Sequence, residues 1–121
     1  MEGKELQKKT EAAGIEYGQG LERFMGKKEL YHRFLGKFLD DASYRDFCTA
    51  YEAGDLVTSE KTVHTLKGTS GNLSLMRLYR AADAMVQAIR KKEPSDELDA
   101  LAKGVRETYV ETCDAIRAIL A

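Results

Sequence analysis

One histidine in the sequence lies among residues that could support phosphoryl chemistry. His64 is followed by Lys67 and Gly68 at offsets of three and four, the spacing at which side chains share one face of an α-helix. A neutral imidazole is nucleophilic near pH 7, because its unperturbed pKa is about 6.5 and one ring nitrogen keeps a free lone pair. A lysine ammonium one turn away could pair with phosphate oxygens. The pattern therefore suits an imidazole that is phosphorylated, with Lys67 as its charge partner.

Two glycines lie on the same helical face as His64. Gly68 and Gly71 each cost a helix about 1 kcal/mol relative to alanine, so the pair indicates that another surface comes close. That surface is either a docked partner protein or a neighbouring helix of the same chain. Lys61, three residues before His64, either adds positive charge to this face or is merely solvated. We predict that Gly68, Gly71 and Lys61 form a docking surface.

Apolar residues recur at steps of three and four along most of the chain, whereas strict alternation is rare, and this pattern predicts helices. The predicted helices cover residues 4–13, 21–25 and 27–43, then a short segment ending at Gly54, then segments from Asp55 or Thr58 to Leu73, from Leu75 to before Pro94, and from a cap at Ser95 to Ala121. Four of them are long and amphipathic, with short connections. The predicted fold class is all-α: an antiparallel four-helix bundle with additional short N-terminal helices, in one domain over residues 1–121.

Several residues are interpreted as structural. One stripe of the helix that carries His64 should face the core; it consists of Val63, Leu66, Ser70 and Leu73. The aromatic residues assigned to the core by their spacing are Phe34, Phe38 and Phe47. Cys48 and Cys113 are interpreted as small buried residues in a reducing compartment, with a disulfide as the less favoured alternative. His32 lacks neighbours like those of His64 and is interpreted as structural.

Composition excludes several function classes. The formal net charge of −1, with basic and acidic residues interspersed, does not favour nucleic-acid binding. No run of about 18 apolar residues predicts a membrane span, and the charged N-terminus does not resemble a signal peptide, so we expect a cytoplasmic protein. The methionine at position 1 favours a free-standing protein. No histidine, cysteine or carboxylate occupies the one-turn positions after His64, so neither a metal nor a cofactor is predicted.

The ten residues from His64 to Leu73, HTLKGTSGNL, resemble the signature of histidine phosphotransfer (HPt) domains of two-component phosphorelay signalling. Residues 14–26 are similar to the opening turn of that family, and the likeness extends to about Glu93. The resemblance implies an exposed histidine on a four-helix bundle. It implies a phosphocarrier, a monomer without kinase activity of its own, that exchanges a phosphoryl group with aspartates of receiver domains. The receiver would supply both the aspartate and the magnesium.

Two positions depart from the family pattern. Ser74 stands where glycine usually follows the histidine helix, and Val86 stands where many members carry glutamine or glutamate beside the histidine. Because valine cannot form a hydrogen bond to the imidazole, either Gln87 or a backbone group would have to orient the ring instead.

Two other classes of function are alternatives to a phosphocarrier. A helical-bundle adaptor would bind partner proteins without phosphotransfer, but a degenerate adaptor of this family would be expected to lose His64. An enzyme with its own active site would need a nucleophile, a base and an orienting group, or a phosphate-binding loop, and the sequence offers no convincing set.

Overall fold

The computed structural model describes residues 3–121 and folds them into seven α-helices. They are α1 (Gly3–Ala12), α2 (Tyr17–Arg23), α3 (Lys28–Leu39), α4 (Ser43–Glu52), α5 (Leu56–Asn72), α6 (Met76–Arg90) and α7 (Ser95–Leu120). The predicted all-helical class is confirmed. None of the helices in residues 3–121 combines the length and the apolar character needed to cross a bilayer.

Helices α4, α5, α6 and α7 pack side by side in chain order, and α3 and α1 lie against α7. Connections of three or four residues join the successive members, so neighbouring helices run antiparallel. The prediction had assigned the segment of α3 as the fourth long helix, whereas the shorter α4 is the helix that packs along α5. The largest fully buried side chains are Tyr31, Phe38, Phe47, Ile15, Leu35, Leu66, Leu75, Leu78, Met85, Ile116, Val63 and Val86.

Local side chains explain two boundaries that differ from the predicted ones. The third helix ends at Leu39 instead of Ser43, because a carboxylate oxygen of Asp41 accepts the backbone N–H of Ser43 at 2.8 Å and a new helix opens there. The last helix begins at Ser95, so the extended Pro94 precedes it and Ser95 is not its cap. For α5, Asp55 is the cap: its carboxylate accepts the backbone N–H of Thr58 at 3.0 Å.

Helix α2 begins at Tyr17, four residues before the predicted start. Its two glycines, Gly18 and Gly20, have low helix propensity and obscured the helix in the sequence. Gly20 is buried beneath Tyr31, and a Cβ at this position would overlap the tyrosine ring. The glycine is therefore required by close packing of α2 on α3, a contact that a local pattern does not reveal.

One of the two α3 phenylalanines that were predicted to be core residues is exposed. Phe38 is buried as predicted, together with Tyr31 and Leu35, but Phe34 is 39% exposed. The assignment of Phe34 to the core is therefore wrong, because its neighbours on this side of α3 leave its ring facing a groove at the surface.

The cysteines differ in their environment. Both are free thiols; Cys113 is buried as predicted, whereas Cys48 is only half-buried.

The turn between α5 and α6 is anchored to the N-terminal segment. Ile15 and Leu75 form an isolated antiparallel bridge, with the N–H of Glu16 donating to the carbonyl of Ser74 at 3.0 Å. The N–H of Met76 donates to the carbonyl of Gly14, also at 3.0 Å. These bonds hold the C-terminal end of α5 in place, and α5 is the helix that carries His64.

Candidate functional site

His64 lies on the solvent-facing side of α5 and is exposed. On the opposite side of the helix, Val63, Leu66 and Ser70 are buried, as the sequence pattern predicted. Burial of these side chains fixes the rotation of α5 about its axis. The burial of Val63, the residue before His64, therefore keeps the imidazole at the surface.

Two ion pairs join α5 to α6 on either side of His64. Before it along α5, Glu60 Oε1 lies 3.5 Å from Arg90 Nε, and after it Lys67 Nζ lies 2.9 Å from Asp83 Oδ1. Both pairs are partly exposed, so each contributes little to stability, about 0 to 1 kcal/mol. The pairs are more informative about geometry, because they show the register of α5 and α6, that is, which residues of the two helices face each other near His64.

That register identifies the residue across from His64. His64 lies four residues after Glu60 on α5, and Val86 lies four residues before Arg90 on the antiparallel α6. Because Glu60 pairs with Arg90, this register places Val86 across from His64. Val86 is fully buried and apolar. Its side chain has no atom that could hydrogen-bond to the imidazole.

The glutamine next to this position does not replace the missing partner. The amide of Gln87 donates to Oδ1 of Asp83 at 3.4 Å, so it is directed away from His64. Within residues 3–121, no side-chain hydrogen bond reaches the His64 ring. Of the two substitutes that the sequence left open, Gln87 is therefore excluded in this structure.

Lys67 lies on the His64 face, but its charge is already partnered. Its Nζ contacts Asp83 and lies 5.8 Å from the centre of the Tyr79 ring, and its side chain is 23% exposed. The hydrogen bond from Lys67 holds the pKa of the Asp83 carboxyl below its usual value. Asp83 is therefore ionised near pH 7. Sequence reasoning missed it, because its proximity to Lys67 depends on the packing of two helices.

The two glycines of the predicted docking surface have different surroundings. A Cβ at Gly68 would meet no atom within 4 Å, so this glycine opens onto solvent. A Cβ at Gly71 would lie 3.0 Å from Cδ1 of Tyr79, which is closer than ordinary packing allows. Gly71 is therefore a position at which α5 packs closely against α6, and its role in docking stays a prediction. Lys61 is exposed one turn before His64.

Ser74 adopts a left-handed backbone conformation with φ of 59° in the turn after α5. Such a conformation costs a residue other than glycine roughly 1 kcal/mol. The buried Ser74 side chain donates a hydrogen bond to Oε1 of Gln19 at 3.0 Å, which offsets part of that cost. Serine thus occupies a conformation that favours glycine, and the departure from the family pattern leaves the turn intact.

A shallow groove lies beside the C-terminal half of α5. Its volume is about 390 Å³. Phe24, Phe34, Phe38, Leu73, Lys37, Asp41, Thr69 and Asn72 line it. Thr69 and Asn72 belong to α5, so the groove adjoins the helix that carries His64. Phe34, one of the residues that line the groove, is an exposed apolar side chain.

His32 lies elsewhere, at the edge of a larger cavity of about 900 Å³ beside α1 and α2. Its Nε2 is 2.6 Å from the hydroxyl of Tyr17, which fits the structural role predicted for it. Burial, with a smaller contribution from Lys28, lowers the pKa of His32. In the part of the chain that the structure describes, no three histidine, cysteine or acidic side chains come together as a metal site.

Comparison with known proteins gives one match. The family model described as Hpt domain matches residues 33–120, which include all of α4 to α7 and His64. No curated protein and no solved structure matches the chain significantly. Because the family match covers well over half of the 121 residues and the fold is the expected helical bundle, the chain belongs to the Hpt domain family of phosphorelay signalling.

Proposed function

We propose that this Hpt domain is a phosphocarrier that accepts a phosphoryl group on His64 from a receiver-domain aspartate and passes it to another. The observation that carries the proposal is the placement of His64: it is exposed on α5, with Lys67 one turn along and open space at Gly68. A carrier needs a nucleophile that a second protein can reach, and α5 presents one.

The transfer is a displacement at phosphorus. The lone pair of a ring nitrogen of His64 attacks the phosphorus of the aspartyl phosphate, and an N–P bond forms as the O–P bond to the aspartate breaks. The electron pair of the broken bond remains on the aspartate carboxylate, while the proton on the other ring nitrogen stays in place. Passing the group to a second aspartate reverses these changes. Such a transfer requires chiefly positioning and charge stabilisation.

The residues around His64 have distinct roles in this proposal. The ammonium of Lys67 pairs with the phosphoryl oxygens as charge shifts onto them. Gly68 leaves room for the receiver to bring its aspartate to the imidazole, and the exposed Lys61 adds positive charge to the same surface. The groove near Phe34 extends this surface along α5 and gives the receiver an apolar area to cover.

The phosphoryl group is proposed to come from a partner and not from a nucleotide. Hpt domains carry phosphoryl groups without intrinsic kinase activity, and the present chain matches that family over the whole α4 to α7 region. We therefore expect receiver domains of response regulators or hybrid kinases as partners, and no labelling from nucleoside triphosphate alone.

A labelling experiment tests the proposal. A panel of receiver domains is charged with acetyl phosphate and mixed with the protein, and the label on the protein is tested for the acid lability of phosphohistidine. His64→Gln should abolish the label and keep the helical spectrum, whereas His32→Gln should keep the label. Acid-labile phosphate on His64→Gln would refute the assignment. A domain that binds receivers without ever being labelled would be the adaptor of the alternative hypothesis.

A further inference from the structure

Asp83 on α6 holds the cation beside the proposed phosphorylation site. Its Oδ1 lies 2.9 Å from Lys67 Nζ, and the two side chains are 38% and 23% exposed, respectively. The amide of Gln87 donates to the same oxygen, and the Tyr79 ring lies beside the ammonium. The Lys67 head group therefore contacts Asp83 and Tyr79 of α6, although Lys67 itself belongs to α5.

The pairing leaves Lys67 only partly available to a phosphoryl group. An ammonium has three N–H donors, and Asp83 accepts from only one of them within the described residues 3–121. A phosphoryl group on His64 would meet both the positive charge of Lys67 and the negative charge of Asp83. The carboxylate is ionised near pH 7, so its charge opposes the attraction that Lys67 provides.

A carrier differs from a phosphate-binding site in this respect. A site that only binds phosphate gains from every added positive charge, whereas a carrier must also release the group to the next aspartate. Asp83 pairs with Lys67, the only lysine one turn after His64. Its negative charge weakens the binding of the phosphoryl group and favours its release.

We propose that Asp83 is a positioning residue that, by pairing with Lys67, lowers the stability of phosphohistidine at His64 and so sets the balance between accepting and releasing the phosphoryl group. The inference rests on the proposed function of His64 as carrier. Asp83 does not contact the reacting atoms in this mechanism, and its effect is transmitted through the ammonium of Lys67.

The test is the position of the transfer equilibrium with one receiver. Asp83→Asn removes the charge and keeps the shape, and it should raise the ratio of phosphohistidine to phosphoaspartate by about two- to fivefold, the range for charge interactions at partly exposed side chains. Transfer from His64 back to the receiver should slow accordingly. An unchanged or lower ratio would overturn the inference. A merely structural role for Asp83 would not raise the ratio.

Two further substitutions serve as controls. Asp83→Glu retains the negative charge within reach of Lys67 and should restore a ratio close to that of the unsubstituted protein. Asp114→Asn removes a carboxylate from an exposed pair with Arg117 on α7 and should leave the ratio unchanged. A similar increase with Asp114→Asn would show a general effect of net charge and contradict the role of Asp83.

The double variant Lys67→Ala/Asp83→Asn tests whether Asp83 acts through the lysine. Without Lys67, the substitution of Asp83 should have a smaller effect than it has in the unsubstituted protein. An equal effect would mean that the carboxylate acts directly on the phosphoryl group and would overturn the positioning role. Absence of any label on the unsubstituted protein would refute the proposed function, whereas a labelled protein whose ratio ignores Asp83 would refute this inference alone.

Discussion

Val86 lies across the α5–α6 interface from His64, and its side chain is fully buried. The position at which many members of the family carry a polar partner for the imidazole is therefore part of the core in this protein. In the described residues 3–121, no side chain donates or accepts a hydrogen bond at the ring of His64. This arrangement gives the first prediction.

Val86→Gln should destabilise the fold by about 1 to 3 kcal/mol, because a longer polar side chain must enter a filled apolar site. The free energy of unfolding from urea titration measures the change. Ala84→Gln, at an exposed position of the same helix, serves as the control and should change stability by less than about 0.5 kcal/mol. Equal stability of the two variants would show that Val86 is not packed in the core as described.

Lys67→Ala should slow phosphoryl transfer without unfolding the domain, because it removes a charge beside His64 but no fully buried contact. The expected loss is on the order of 1 to 3 kcal/mol in the transition state, the scale of a charge-assisted hydrogen bond. Single-turnover transfer from a cognate receiver measures it. Lys61→Ala tests the weaker contribution and should have a smaller effect. A normal transfer rate for Lys67→Ala would show that Lys67 takes no part in transfer and only forms the ion pair between α5 and α6.

Gly68→Ala and Gly71→Ala should separate the two glycines by their effects on stability. At Gly68 the added methyl group meets open space, so the higher helix propensity should stabilise the domain by about 0.5 to 1 kcal/mol. At Gly71 the Tyr79 ring must move, which should remove most of this gain. Thermal unfolding of both variants provides the comparison. Equal gains would contradict the close packing of Gly71 on α6.

Gly68→Gln tests docking. The long side chain should leave the isolated domain folded, since nothing lies within 4 Å of the Cβ position, but it should block the approach of a receiver to His64. Circular dichroism and transfer rates from the same preparation give the two readouts. Normal transfer by a folded Gly68→Gln variant would remove Gly68 from the docking surface.

The pair of Lys67 and Asp83 should make a small pH-dependent contribution to stability. The folded-state pKa of Asp83 is lowered by Lys67, so the contribution is present above the unfolded pKa of about 3.9 and is lost as the pH falls through the folded value. Because both side chains are partly exposed, we expect less than about 1 kcal/mol. The stability difference between the unsubstituted protein and Asp83→Asn should be measurable at pH 7 and vanish in acid. A difference that persists well below the folded pKa would show that it does not arise from the charge of Asp83.

The sequence alone determined that the chain is helical and on which side of α5 His64 lies. Both depend on residues three and four positions apart, whose relation within a helix follows from 3.6 residues per turn. The buried stripe of Val63, Leu66 and Ser70 was therefore predictable, and with it the exposure of the histidine beside it. The sequence left Asp55 or Thr58 as the cap of α5, and the structure shows that Asp55 is the cap. Only the resemblance to the family indicated that the position of Val86 lies beside the histidine.

The tertiary structure decided how α5 and α6 are aligned, and this alignment sets the chemistry around His64. The contact of Lys67 with Asp83 and that of Gly71 with Tyr79 join residues of different helices, and they depend on the relative shift of those helices. The shift is set by packing over the whole interface and by the turn containing Ser74, and no spacing within one helix encodes it. For this reason the sequence predicted His64 as the nucleophile and Lys67 as its cation, whereas the contact of Lys67 with Asp83 was found only in the folded chain.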